Sequence, residues 1–286
     1  MFGAMSSPAR ELWDWVRQHR WPLFLTTVAA YSQQHYDLHG PPAHLQVLPG
    51  LAVATFVVLP LWAAVVHDSR DRLALACAAV GAAIAMAPAL VWGYAPGGEE
   101  SLRADARILV VGATVGLVLT LFAANRGHVR LDAWGLGAGD FRWWSRPVGI
   151  LLVMILVCIP IVAWIFPEFV AYYPRYRPSR TAVVPLIQYQ VAMAIYMFCW
   201  EFFFRGFMLF GLSRTIGPFA AILVQCYPFF ILHHQKPEPE MASSWFGGLL
   251  MGWLCWRAGC MWPSFLLHTV LYTTMEVTAY VYRNGI

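Results

Sequence analysis

The chain has 286 residues, of which 59% are hydrophobic and only 12% are charged. Soluble domains carry about 25% charged residues, so this composition excludes an ordinary soluble protein and predicts an all-α, polytopic transmembrane helical bundle. The net charge of +4 comes from arginines in the loops between apolar segments, which reports on membrane topology and gives no indication of nucleic-acid binding.

Residues 1–20 are predicted to be a cytoplasmic, amphipathic lead-in that lies along the membrane surface. Arg10, Arg17 and Arg20 accompany Glu11 and Asp14 there. A cleavable signal needs a continuous apolar region after its basic start, and this stretch contains none.

Apolar segments follow through the rest of the chain, and a membrane-spanning helix needs about 20 mostly apolar residues. Eight segments approach this length and a weaker ninth covers 21–31, so eight or nine spans are predicted: 47–66, 73–94, 108–124, 148–166, 183–212, 218–232, 245–256 and 261–282. Residues 21–182 are expected to form N-terminal transmembrane helices and residues 183–283 the functional core. The positive-inside rule places the N-terminus in the cytoplasm, although Arg175, Arg177 and Arg180 fall on the opposite side.

Two features favour structural roles. The six cysteines lie in or beside apolar segments and form no CxxC pair, so we expect small buried side chains rather than disulfides or zinc ligands. Gly135, Gly137 and Gly139 resemble a dinucleotide-binding fingerprint, but the run follows an apolar span rather than a strand. An interfacial turn is therefore predicted at these glycines.

The segment 183–212 contains two charged residues in an otherwise apolar stretch. An ionisable residue inside a membrane is costly unless it faces protein or water, so it is a functional hypothesis by default. Glu201 and Arg205 are four residues apart and share one helix face, with the acid N-terminal to the base. Alone, this pair fits a structural ion pair as well as a catalytic site.

Histidines at two later sites favour catalysis. His233 and His234 end one apolar segment, and His268 lies inside another. Tyr272 and Glu276 follow His268 at four-residue steps and share its helix face. Histidines and a glutamate facing lipid would be costly, so we expect Glu201 and the histidines to surround a wet cavity.

Such a cavity predicts hydrolysis without a Ser or Cys nucleophile. A carboxylate can act as general base on a water, and an imidazole can donate to the developing oxyanion. Two histidines and a glutamate also form a ligand set of catalytic zinc. The chain has no HExxH motif, so we expect no cofactor and keep zinc as the less favoured alternative.

Three short motifs occur in order over residues 183–282: Trp200-Glu201-xxx-Arg205, Phe229-xxx-His233 and His268-xxx-Tyr272. This region resembles the CPBP family of intramembrane glutamic-type proteases, the CAAX prenyl endopeptidase and bacteriocin-processing group that is also called the abortive-infection family. The family pattern is EExxxR, FxxxH and HxxxN. The glycine-punctuated stretches 246–252 and 257–262 are similar to the family as well.

The resemblance implies an endopeptidase that acts on a membrane-anchored protein or peptide within the lipid bilayer, in a bacterial inner membrane. It implies that Glu201 with His233 deprotonates a water and that His268, helped by Tyr272, stabilises the oxyanion. Arg205 would hold Glu201 ionised and oriented. The site is expected toward the outer half of the bilayer, and the substrate and the oligomeric state stay open.

Two departures from the family pattern leave other functions open. Trp200 stands where the family has its first glutamate, and Tyr272 where it has asparagine. The first departure favours a non-catalytic scaffold or immunity protein as an alternative, and a small transporter is another. The run of His233, Lys236, Pro237 and Glu240 resembles myxosortase-like proteases of sorting tails, which favours His233 over His234 and makes Glu240 an accessory carboxylate.

Overall fold

A computed structural model describes residues 7–39, 131–231, 233 and 236–286. Throughout these residues the fold is all-α, as predicted, and contains no strands. The helices are α1 (Pro8–Gln18), α2 (Arg20–His39), α3 (Phe141–Ile165), α4 (Pro167–Tyr172), α5 (Val183–Glu201), α6 (Leu209–Ile216), α7 (Pro218–Ile231), α8 (Glu238–Ala258) and α9 (Trp262–Asn284). Short 3₁₀ turns cover Leu131–Trp134 and Arg177–Arg180.

Two helices of the described part are long and apolar enough to cross a membrane, Phe141–Ile165 and Val183–Arg214. The all-α class is confirmed, whereas the count of eight or nine spans is not. The predicted spans 47–66, 73–94 and 108–124 lie outside the described residues.

Asp140 caps the N-terminus of helix α3, because its side chain accepts a hydrogen bond from the backbone N–H of Trp143 at 3.2 Å. Its exposed apolar side chains recur at helical spacing and form one stripe: Ile150, Val153, Met154, Val157 and Ile161. A stripe of this length exposed on one face is what a lipid-facing helix requires.

The predicted segment 183–212 is one continuous helical rod with a change of winding in it. Helix α5 ends at Glu201, a π-helical stretch covers Phe202–Met208, and α6 continues to Ile216. π-Helical turns are rare in proteins, and many of those that occur lie at functional sites. Gly217, with φ of 80°, ends the rod and Pro218 begins α7.

Helices α7 and α8 approach closely through two glycines four residues apart, Gly248 and Gly252. A Cβ on Gly248 would lie 2.8 Å from the sulfur of Cys226, and one on Gly252 would lie 2.5 Å from the amide nitrogen of Gln225. Small residues at this spacing let helix backbones approach in membranes. The contact brings the end of α7, and therefore Phe229, against α8.

The glycine run before α3 wraps the turn between α8 and α9. The carbonyl of Gly135 accepts from the Met261 N–H at 2.8 Å, and Asp140 N–H donates to the carbonyl of Ala258 at 2.8 Å. Gly139 has φ of 59°, and a Cβ there would come within 2.2 Å of the Ala258 oxygen. Glycine is needed at this position for backbone packing.

Candidate active site

Glu201 is the centre of a buried polar network where α5 meets the π-helical stretch. Its side chain is 0% exposed. Arg205 Nη1 lies 3.2 Å from Oε1 and 3.1 Å from Oε2, and His268 Nδ1 lies 2.5 Å from Oε1. The hydroxyl of Ser264 donates to Oε2. Three donors from two elements therefore converge on one carboxylate.

The contact with Glu201 orients the imidazole of His268. An ionised carboxylate only accepts hydrogen bonds, so Nδ1 of His268 carries the proton in this contact. Nε2 is then the nitrogen that remains for another partner. His268 is buried in α9, one helical turn after Ser264.

His233 supplies a second oriented imidazole. Its Nδ1 lies 2.7 Å from the backbone oxygen of Phe229, which can only accept, so Nδ1 is the protonated nitrogen. His233 lies beyond the last residue of α7, outside the membrane-spanning segments, and burial lowers its pKa well below the usual histidine range. The nearby cation of Lys236 lowers the pKa of His233 further. His233 is therefore a neutral base with its lone pair on Nε2.

The aromatic ring of Phe229 packs against both imidazoles and the guanidinium group of the site. Its ring centroid lies 4.5 Å from that of His233 and 5.6 Å from that of His268, and the two imidazole centroids are 6.2 Å apart. The guanidinium carbon of Arg205 lies 4.1 Å from the centroid of the same ring, within cation–π range. Trp200 packs beside it, at 6.3 Å between ring centroids.

Trp200, which directly precedes Glu201, belongs to an aromatic cluster. Its ring contacts those of Tyr196 and Phe204 at centroid distances of 5.8 and 5.1 Å. The indole N–H is buried and has no hydrogen-bond partner among the residues that the structure describes. No carboxylate therefore stands at this point of the site, and apolar packing replaces it.

The other expected side chains lie in a neighbouring network. The hydroxyl of Tyr272 is 3.1 Å from that of Tyr189, and Glu276 accepts from the backbone N–H of Arg175 at 3.1 Å. Glu240 contacts Tyr173 and Lys236, each at 2.6 Å. His234 lies outside the described residues.

Two polar residues of these networks, Ser264 and Tyr173, were not predicted from the sequence. Ser264 precedes His268 by four residues and so shares its helix face, a signal that could have identified it. Tyr173 carries no such signal, because its partner Glu240 is 67 residues away in the chain.

The chemistry of the site is that of oriented imidazoles beside a buried ion pair. Across the described ranges, no group of three or more His, Cys, Asp and Glu side chains is placed to hold a metal ion. One neutral imidazole can accept a proton, and a carboxylate-paired imidazole can donate one. The arrangement can therefore activate a water and stabilise an oxyanion.

Residues 182–274 match the family model of the type II CAAX prenyl endopeptidase Rce1-like proteins. This segment is similar to the Rce1-like domain of that family, and it covers about a third of the chain. The matched residues include Glu201, Arg205, His233, Ser264 and His268, and the proteins of that family are integral membrane proteases. The two long apolar helices fit that class. No curated protein and no solved structure matches the chain.

Proposed function

We propose that this chain is an intramembrane endopeptidase that hydrolyses a peptide bond in a membrane-anchored protein, with Glu201, His233 and His268 as its reactive centre. The observation that carries the proposal is the buried Glu201–His268 contact of 2.5 Å, with a second oriented imidazole at 6.2 Å between ring centroids. A structural ion pair needs only Glu201 and Arg205, so the two histidines favour chemistry.

The hydrogen-bond geometry supports His233 as the base. Nε2 of His233 accepts a proton from a water, and the resulting hydroxide attacks the carbonyl carbon of the scissile bond. The carbonyl oxygen becomes an oxyanion that accepts a hydrogen bond from Nε2–H of His268. When the C–N bond breaks, His233 returns its proton to the leaving amine.

Glu201 acts mainly through His268 in this proposal. Its oxygens already accept from Arg205, His268 and Ser264, and a carboxylate that accepts several hydrogen bonds is held in its charged form and is a poor base. Its carboxylate holds the His268 ring through Nδ1–H, which leaves Nε2–H to donate to the oxyanion. Arg205 holds Glu201 in place and keeps it ionised.

The metal-independent version is proposed because the ion pair and imidazoles supply the proton transfers. Sorting-tail proteins are proposed as substrates on the resemblance around His233 and Glu240. We also propose that the protein lies in a bacterial inner membrane, as the resemblance implies, and that its N-terminus is cytoplasmic, as the distribution of arginines indicates. 1,10-Phenanthroline should leave cleavage unchanged, and loss of cleavage that zinc restores would contradict the metal-independent proposal.

The test uses the purified full chain in proteoliposomes with lipid-anchored peptides of randomised sequence in H₂¹⁸O. Hydrolysis should place one ¹⁸O in each new carboxyl terminus, detected by mass spectrometry. His233→Asn and His268→Asn should each lower cleavage by about 100-fold or more, the effect of losing a general base or an oxyanion donor. Cleavage at the unaltered rate in either variant would contradict its role.

His19→Asn is the matched control. The ring of His19 stacks on Phe219 at a centroid distance of 4.0 Å, far from the reactive centre along the chain. The same substitution there should leave cleavage unchanged, so a loss in all three variants would indicate a general effect on the fold.

Trp200 supports a second candidate, a non-catalytic scaffold that binds a membrane protein. Its buried, apolar surroundings put no carboxylate where the family has one. The same proteoliposome experiment separates the two functions, because a scaffold produces no ¹⁸O-labelled carboxyl termini from any peptide. Production of such termini by the unaltered chain would reject the scaffold.

A further inference from the structure

A second buried network joins the two histidine-bearing elements to a loop that precedes the Rce1-like domain. The hydroxyl of Tyr173 donates to Oε2 of Glu240 at 2.6 Å, and Nζ of Lys236 donates to Oε1 at 2.6 Å. Tyr173 is 0% exposed and Glu240 is 8% exposed. Both carboxylate oxygens thus have a strong donor, and charge-assisted bonds of this length are geometrically restrictive.

This network has a direct connection to His233. The backbone N–H of Lys236 donates to the backbone oxygen of His233 at 3.3 Å. Lys236 is thereby held at two points, by its side chain on Glu240 and by its backbone on His233. Glu240 lies in the first turn of α8, where the helix dipole favours a negative charge.

The same network reaches the helix that bears His268. The ring of Tyr173 packs edge-on against that of Tyr272, with centroids 6.0 Å apart at 86°. Tyr272 lies one helical turn beyond His268 on the same face of α9. Tyr173 therefore touches α9 with its ring and Glu240 with its hydroxyl.

We propose that Tyr173 and Glu240 are positioning residues that set the placement of His233 relative to His268. The inference rests on the proposed function for its catalytic meaning, and its structural content is independent of any activity. Neither residue touches the reacting atoms. Each acts through Lys236 or Tyr272, and a displacement of about 1 Å at a catalytic group can cost up to 100-fold in rate.

The experiment uses the full chain in detergent micelles, labelled with histidine that carries ¹³C at Cε1. The resonance that disappears in His233→Asn is that of His233. Tyr173→Phe and Glu240→Gln should each shift this resonance, and Lys236→Met should do the same. Lys236→Arg should retain the contact with Glu240 and keep the resonance close to its original position.

Two matched controls remove trivial explanations. Glu238→Gln makes the same change in the same first turn of α8, at an exposed side chain. Tyr282→Phe makes the same change at an exposed side chain, whose hydroxyl donates to the carbonyl of Pro160 at 3.0 Å. Neither control should move the His233 resonance.

A His233 resonance that stays in place in both Tyr173→Phe and Glu240→Gln overturns the inference. Tyr173→Phe keeps the ring packing, so it decides the matter even where Glu240→Gln does not fold. In the proteoliposome assay, both variants should lower kcat by about tenfold with KM unchanged. Shifted resonances in a chain that cleaves no peptide would reject the proposed function and leave the positioning role standing.

Discussion

Nδ1 of His268 lies 2.5 Å from Oε1 of Glu201, and both side chains are buried. The contact joins the end of α5 to the second turn of α9 across 67 residues of chain. It converts the Glu201–Arg205 ion pair into a network that ends on an imidazole. A structural ion pair needs no such extension, so this contact favours a reactive role for Glu201 and His268.

Glu201→Gln should lower peptide cleavage by about 100-fold, comparable to the loss of one oxyanion-stabilising donor. The neutral amide is a weaker acceptor for Nδ1–H of His268, so the imidazole is held less firmly and becomes a weaker donor to the oxyanion. The rate is measured with the lipid-anchored peptides in proteoliposomes. Glu238→Gln provides the control at an exposed site, and an unchanged rate in Glu201→Gln would remove Glu201 from the mechanism.

Arg205→Met should destabilise the protein by about 3–5 kcal/mol, because it leaves a fully buried carboxylate without its cationic partner. Unfolding in mixed micelles with increasing dodecyl sulfate measures the change. The double variant with Glu201→Gln should recover part of the loss, since no charge then remains unpaired. A double variant as unstable as Arg205→Met would show that the guanidinium acts by packing on Phe229 instead.

Ser264→Ala should cost about 1.5–3 kcal/mol of stability, the range for a hydrogen bond to a charged group. Its hydroxyl donates to Oε2 of Glu201. Ser244→Ala is the matched control, because Ser244 is also buried on a neighbouring helix but its hydroxyl donates to an uncharged acceptor, the Met241 carbonyl, at 2.7 Å. Equal losses of unfolding free energy in the two variants would deny Ser264 a special part in the network.

The helical class could be predicted from composition. A chain with so few charged residues cannot cover a water-exposed surface, and apolar segments that cross a membrane form helices that satisfy their own backbone hydrogen bonds. Boundaries were harder to predict. The segment expected at 148–166 begins earlier, at Phe141, because Asp140 caps the helix and Trp143 and Trp144 are buried against the bundle. The π-helical stretch Phe202–Met208 was not predicted, because a nearly uniform apolar run has no hydrophobic periodicity from which its winding could be read.

The motif residues of the site could be selected from sequence because a charge or histidine in an apolar segment is unusual. Their partners could not be selected in the same way. Tyr173 and Tyr189 are ordinary aromatic residues in sequence, and only the packing of distant helices gives them the contacts with Glu240 and Tyr272. Trp200 was singled out from sequence as a departure from the family pattern, and the structure adds that its surroundings are aromatic.

Gly248→Ala should destabilise the protein by about 1–3 kcal/mol, the cost of overpacking a close contact. The new methyl group would lie 2.8 Å from the sulfur of Cys226 and 3.0 Å from the ring of Phe229. Because Phe229 packs on both imidazoles, its displacement should also lower cleavage.

Gly247→Ala is the control within the same helix, since a Cβ there meets nothing within 4 Å. Alanine has a higher helix propensity than glycine, so the free energy of unfolding of this variant should rise by about 0.5–1 kcal/mol. Dodecyl sulfate unfolding and the cleavage rate are measured for both variants. Helix α7 packs closely against the face of α8 that carries Gly248. We therefore expect only Gly248→Ala to lower both the stability and the cleavage rate. Equal behaviour of the two variants would place the helix contact elsewhere.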